Sequence, residues 1–155
     1  MRIYLAQHGM ALPKDIDPDR PLSELGDQDV RRIGDFLRDA CIHVDEVIHS
    51  GKTRAKQTAT ILAESLTPGR QVRSETSLGP NDPVEPFAER LGELQDEVLI
   101  VGHLPFLGRL VSFLLVGAVD RVSVAFKPGS VVCLERNADT TWDLVWMIRP
   151  ELLNP

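Results

Sequence analysis

The stretch Val98-Leu99-Ile100-Val101-Gly102-His103-Leu104-Pro105 decides the fold. Its first four residues form a continuous aliphatic run rich in β-branched side chains, the pattern of a central parallel strand buried on both faces. Pro105 then opens a helix, where its fixed φ suits the first turn, and the helical pattern continues to about Val116. Parallel strands need crossover connections, so such a strand calls for helices between its neighbours.

The flanking sequence supplies them. Short strands are expected at Ile3–Ala6, Glu46–His49 and Val72–Glu75. A helix from Ser23 or Asp27 to Ala40 places Val30, Ile33, Leu37 and Cys41 on one face, with Ser23 as its N-cap. A second helix, Thr53–Leu66, carries Ala55, Ala59, Leu62 and Leu66 at helical spacing and stops at Pro68-Gly69. A short helix over Pro86–Leu94 and two closing strands, Val131–Glu135 and Asp143–Ile148, complete the order. The expectation is one three-layer α/β/α domain over residues 1–155 with a mostly parallel central sheet.

Composition narrows the function. At 155 residues, 43% hydrophobic and 26% charged, the chain is an ordinary globular one, neither disordered, collagen-like nor coiled coil. A net charge of −6 without a long Lys/Arg run argues against nucleic acid or an anionic membrane as partner. Cys41 and Cys133 lie in apolar stretches and read as small buried side chains rather than a disulfide framework. The N-terminus is too short and too soon polar for a signal peptide. The longest near-apolar run, between Arg109 and Asp120, is far shorter than the roughly 20 residues that span a bilayer. A cytoplasmic location is expected.

Polar residues recur at one structural position, just past a strand. Gln7-His8-Gly9 follows the first strand, Lys52 and Arg54 the second, and Gly102-His103 the buried one. The carboxyl ends of parallel strands are where open α/β sheets bind ligands, and helix N-termini there offer N–H donors to anions. Two histidines, an arginine and a lysine at such an edge suit a phosphate.

These segments resemble the histidine phosphatase superfamily, which includes the phosphoglycerate mutase-like proteins, and most of all its short SixA-type phosphohistidine phosphatases. Tyr4-Leu5-Ala6-Gln7-His8-Gly9 corresponds to the family's strand ending in Arg-His-Gly. Arg20-Pro21-Leu22-Ser23 through Gly26 is similar to its Arg-Pro-Leu-Thr…Gly. Ser50-Gly51-Lys52-Thr53-Arg54-Ala55-Lys56-Gln57-Thr58 is similar to Ser-Pro-x-x-Arg-Ala-x-Gln-Thr, and Gly102-His103-Leu104-Pro105 to Gly-His-x-Pro. Lys127-Pro128-Gly129-Ser130 and Arg149-Pro150-Glu151-Leu152-Leu153 resemble the short subgroup's last segments.

The resemblance implies a phosphohydrolase working through a phosphohistidine on His8, on a phosphohistidine-bearing protein or a small phosphorylated molecule, with no cofactor and no metal. Chemistry agrees with it. A largely uncharged imidazole is a good nucleophile when its other nitrogen is held, and a carbonyl in the Gly9 turn is placed to hold it. Gly9 would permit a tight turn with close approach to substrate. Arg54 would grip phosphate oxygens in bidentate fashion. A protonated His103 would neutralise charge on the equatorial oxygens.

One departure stands out. Gln7 occupies the position of the family's arginine, and its neutral hydrogen bond to phosphate should be roughly half as strong. Lys52 is the compensating candidate, because Gly51 stands where the family often has Pro and a flexible loop would let the amine reach in. No motif places a general acid; Glu24, Asp82 and Glu85 are the candidates. A phosphohistidine substrate needs one least, since imidazole leaves readily once protonated. The remaining charged residues read as structural or solvated. His43 and His49 are assigned structural or surface roles, Lys56 solvent, and Arg20 the anchoring of its loop to Asp15, Asp17 and Asp19. Lys127 is a weak candidate for the rim. Two rival functions remain at this stage: a phosphate-binding module that lost turnover with the arginine, and a small-molecule phosphomonoesterase of the same superfamily.

Overall fold

A computed structural model describes residues 1–154. It contains β1 (Arg2–Gln7), α1 (Glu24–Asp39), β2 (Glu46–His49), α2 (Thr53–Leu66), β3 (Arg73–Ser74), α3 (Glu85–Glu93), β4 (Val98–Gly102), α4 (Phe106–Val116), β5 (Val131–Arg136) and β6 (Trp142–Ile148). Short 3₁₀ turns occupy Thr76–Leu78 and Pro150–Leu152.

The strands form one sheet in the order β3-β2-β4-β1-β5-β6. The pairs β3–β2, β2–β4 and β4–β1 are parallel; β1–β5 and β5–β6 are antiparallel. The sheet is therefore mixed, its parallel part carrying the crossovers and its antiparallel part the chain's last hairpin. β4 is central and buried along its whole length, as its unbroken aliphatic sequence requires.

Strand alternation sends side chains to two separate cores. On one face Ile3, Leu5, Val98 and Ile100 pack with Phe87 and Leu91 of α3 and Phe106 and Leu110 of α4. On the other, Tyr4, Ala6, Leu99 and Val101 meet Val30, Ile33 and Leu37 of α1 and Ala59, Leu62 and Leu66 of α2. Helices thus cover both faces of one sheet, giving the three layers that the alternating pattern predicts.

Local chemistry sets the helix ends. The Ser23 hydroxyl accepts from Gly26 N–H at the start of α1, while Gly69 past α2 takes φ 84. Cys41 corrects the sequence reading. It lies beyond the last turn of α1 in left-handed conformation (φ 60), which takes it off the apolar face and leaves it exposed. Cys133, in β5 against β1, is fully buried. Among the described residues no helix is long and apolar enough to cross a membrane.

Candidate active site

Register brings the polar residues to one level. Gln7 pairs with Gly102 across β1–β4, and His49 pairs with Val101 across β2–β4. The residues that follow, His8, Ser50 and His103, therefore leave the sheet side by side at the carboxyl edge of the parallel strands. The His8 and His103 rings lie 5.0 Å apart, inclined at 50°.

His8 is held from every side of its backbone. Its N–H donates to the Gly102 carbonyl at 3.1 Å, and its carbonyl accepts from Gly129 N–H at 3.1 Å. Its ring is fixed as well. Nδ1 lies 2.7 Å from the Gly9 carbonyl, which can only accept, so Nδ1 carries the hydrogen and Nε2 the lone pair. The Arg54 Nε–H donates to that lone pair at 3.3 Å. Burial pushes the imidazole's pKa down to about 4 against the raising effect of the Gly9 carbonyl, and the charges of Arg54 and Arg20 push the same way as burial. At neutral pH His8 is an uncharged imidazole with an aimed lone pair.

Arg54 occupies the first turn of α2, which holds no acidic residue. A cation there opposes the helix dipole, and burial together with the Arg20 charge lowers its pKa further. No carboxylate pairs with it among the described residues. Among the described residues nothing neutralises it, which leaves its charge available to an anion.

Two residues hold these groups in place, and sequence reading missed both. Thr58, fully buried one turn after Arg54, donates its hydroxyl hydrogen to the Arg54 carbonyl at 2.8 Å and accepts from Gly9 N–H at 3.0 Å. One hydroxyl thus ties the His8-Gly9 turn to the helix that carries Arg54. Ser50 Oγ lies 2.6 Å from His103 Nε2. The signal for both was their place in Ser50…Arg54…Thr58; the partners are set only by the fold.

The loop bearing Ser50 is shaped by Gly51, whose φ of 89 favours glycine and whose N–H donates to His49 Nδ1 at 3.0 Å. His49 is thereby structural, as expected, but it serves the loop of this edge. A Cβ on Gly9 would lie 2.7 Å from a Val30 methyl and 3.0 Å from the Gly26 carbonyl, so α1 packs against this turn more closely than a larger residue allows.

His103 is 2% exposed, and its Nδ1 is buried without a partner. Burial, then the charges of His8, Arg54, Lys52 and Arg20, push its pKa down to about 3. With no anion beside it His103 is therefore neutral at pH 7, and the protonated form expected to act on the phosphoryl oxygens needs an added negative charge to form. The same effect places Lys52 and Arg20 within electrostatic reach of the ring. Lys52 itself is exposed at the N-cap of α2 and makes no side-chain capping bond. Gln7 contributes a buried, unpartnered Oε1 and no side-chain hydrogen bond to His8, Arg54 or His103.

Arg20 overturns its assignment as an anchor to the acidic cluster. It takes φ 49, donates Nε–H to the Leu12 carbonyl at 3.2 Å, and forms no ion pair with Asp15, Asp17 or Asp19. Its charge is felt instead at His8, Arg54 and His103. Lys127 is exposed and 3.6 Å from Glu151. Of the candidate acids, Asp82 accepts from Gly79 N–H at 2.7 Å, while Glu24 and Glu85 are exposed in the first turns of α1 and α3. Among the described residues no group of three His, Cys, Asp or Glu side chains is placed to hold a metal ion.

The comparison with known proteins agrees with this geometry. The sequence model of the histidine phosphatase superfamily (branch 1) matches residues 3–79, the span that contains His8, Ser50, Arg54 and Thr58. The chain belongs to this superfamily. It is 26% identical to phosphohistidine phosphatase SixA of Escherichia coli (strain K12), covering 97% of this chain and 94% of that one. An uncharacterized protein of Picosynechococcus sp. is 33% identical over 70% of this chain and 69% of its own. A solved structure of SixA complexed with tungstate superposes with a TM-score of 0.87 at 23% identity, over 99% of this chain and 100% of that one.

Proposed function

We propose that the protein is a phosphatase that removes the phosphoryl group from phosphohistidine on a protein, through a covalent phosphohistidine on His8. The observation that carries this reading is the pairing of His8 with Arg54: a neutral imidazole whose Nδ1–H is fixed to a carbonyl and whose Nε2 lone pair faces an uncompensated guanidinium. Likeness to a phosphohistidine phosphatase along nearly the whole chain supports the substrate class.

The chemistry balances in two displacements. His8 Nε2 attacks phosphorus, forming a new P–N bond as the bond to the substrate's imidazole nitrogen breaks; that imidazole takes a proton from water. A water then attacks phosphorus, the His8 P–N bond breaks, and inorganic phosphate leaves with Nε2 again carrying its lone pair. Nδ1–H stays on the Gly9 carbonyl throughout. Arg54 leaves Nε2 for the phosphoryl oxygens as they arrive. The oxygens' negative charge favours the imidazolium that burial, and after it the neighbouring cations, disfavours, so the His103 ring can take up a proton as charge builds. Lys52 and Arg20 add positive charge at the rim, and Gln7 supplies an amide where a further guanidinium would bind more strongly. Solvent protonation of the leaving imidazole leaves no duty for Glu24, Asp82 or Glu85, and no step passes through a metal.

The test is phosphate release from a phosphohistidine-bearing protein, with and without EDTA, by wild type and His8→Ala. Release that survives EDTA and vanishes in His8→Ala supports the reading. Binding of the phosphoprotein without turnover would replace it with the phosphate-binding module.

A further inference from the structure

A cleft of about 350 Å³ opens along the segment that follows His103. Its near wall begins with Leu104 and Pro105, the first two residues after His103, and continues to Arg109 on α4; its far wall is the segment Val119–Val124. Consecutive Cα atoms are about 3.8 Å apart, so the cleft starts one or two residue steps from the His103 backbone.

The far wall is irregular yet pinned. α4 ends at Gly117 (φ 73), and the chain turns back over the fully buried Ser112. The Ser112 hydroxyl donates to the Ala118 carbonyl at 2.5 Å and accepts from Arg121 N–H at 3.0 Å and Val122 N–H at 2.9 Å. Three bonds to one buried oxygen set where Arg121 and Val122 stand.

The charges of the cleft are unsatisfied. Every other arginine side chain among the described residues is engaged. Arg2, Arg31, Arg32, Arg38, Arg73, Arg90 and Arg149 bind carboxylates, and Arg20, Arg70 and Arg136 bind carbonyls. Arg54 faces His8. Only Arg109 and Arg121 make no side-chain hydrogen bond or ion pair, and both line this cleft. Asp120 is its single carboxylate and pairs with neither. In a chain of net charge −6, two unpaired guanidiniums on an apolar floor of Leu104, Val119, Val122 and Val124 form a local exception.

We propose that this cleft receives an acidic segment of the phosphorylated protein itself, with Arg109 and Arg121 meeting carboxylates that lie close to the phosphohistidine. The proposal rests on the reading of the substrate as a phosphohistidine protein. It accounts for a recess of about 350 Å³ with two unpaired arginines that starts at the residue after His103. Unpaired cations at such a surface mainly steer encounter and set preference among partners. They are specificity residues and touch no reacting atom.

The experiment compares three substrates: free phosphohistidine, a phosphohistidine peptide with Asp and Glu flanks, and the same peptide with Asn and Gln in their place. Wild type is expected to prefer the acidic peptide by about tenfold in kcat/KM at low salt, with the preference shrinking as salt rises. Arg109→Gln with Arg121→Gln should remove the preference, and Arg109→Glu with Arg121→Glu should invert it, both leaving free phosphohistidine turnover unchanged. Equal use of the two peptides by wild type overturns the docking site while leaving the phosphatase intact, as does an equal loss on all three substrates in the variants. If no substrate is hydrolysed, the phosphatase reading fails. Fluorescence anisotropy of the unphosphorylated acidic peptide then decides the cleft separately: binding by wild type that the Gln pair abolishes supports it, and equal binding by both overturns it.

Discussion

Thr58 shows how much one side chain holds at this site. Its hydroxyl is shared between the Gly9 N–H and the Arg54 carbonyl in a fully buried place. Thr58→Val keeps the volume but strands the Gly9 N–H, and a buried unpaired donor costs about 1–3 kcal/mol. Urea unfolding should show that loss, turnover should fall with it because His8 and Arg54 lose their shared brace, and Thr58→Ser should restore both. Ser50→Ala removes the partner of His103 Nε2; a loss of about 1.4 kcal/mol of positioning corresponds to roughly a tenfold lower kcat/KM. Gln7→Arg should tighten binding of inorganic phosphate, read by titration calorimetry, since a charge-assisted bond is about twice as strong as a neutral one. A fall in affinity would mean that Gln7 is tuned for another ligand. The Gln7 and His8 positions could be read from the chain because they stand at the end of a strand. Ser50 and Thr58 could not, since their partners stand 53 and 49 residues away.

Elements place those residues through two glycines of opposite kind. A Cβ on Gly26 would lie 2.0 Å from the Met10 carbonyl oxygen, a backbone atom of the loop that follows His8. Gly26→Ala must therefore push that loop off the start of α1. About 3 kcal/mol of stability should be lost, at the upper end for overpacking, together with turnover. Gly51 has nothing within 4 Å of a would-be Cβ, and its constraint is the φ of 89 alone. Gly51→Ala should cost about 1 kcal/mol, the left-handed penalty, and equilibrium denaturation of the two variants checks the contrast. The same division explains what was legible. The limits of β2 and α2 match the sequence reading residue for residue, because polar starts and the Pro68-Gly69 stop are local signals. The 3₁₀ turn at Thr76–Leu78 depends on the Glu75 side chain accepting from Ser77 N–H, and the turn of Cys41 out of α1 on backbone bonds from Cys41 N–H to the Arg38 carbonyl and Ile42 N–H to the Leu37 carbonyl; neither leaves a periodic trace.

The whole molecule should respond to pH through three histidines, His49 and His103 buried and His8 half-buried. Burial depresses His8 to about 4 and His103 to about 3, and lowers His49 as well. A histidine depressed in the folded state binds its proton more readily when unfolded, near 6.5. Its contribution to stability is therefore complete above pH 6.5 and is lost as pH falls toward 4 and 3. His8 and His103 should each forfeit on the order of 3–5 kcal/mol across that window, and the melting temperature of wild type should fall more steeply below pH 6.5 than that of His8→Gln with His103→Gln. Bound phosphate should oppose the loss by favouring their charged forms. Composition described an acidic chain, yet the fold sets Arg54, Lys52 and Arg20 within electrostatic reach of His103, and Arg109 and Arg121 in the cleft that begins at the next residue, Leu104. The central claim is that the phosphoryl group passes through His8. Rapid alkaline quenching of the enzyme during turnover of free phosphohistidine, followed by intact mass and peptide mapping, tests it most directly. One added phosphoryl group on the His8 imidazole, absent in His8→Ala, is the result expected; phosphate release that continues in His8→Ala would contradict it.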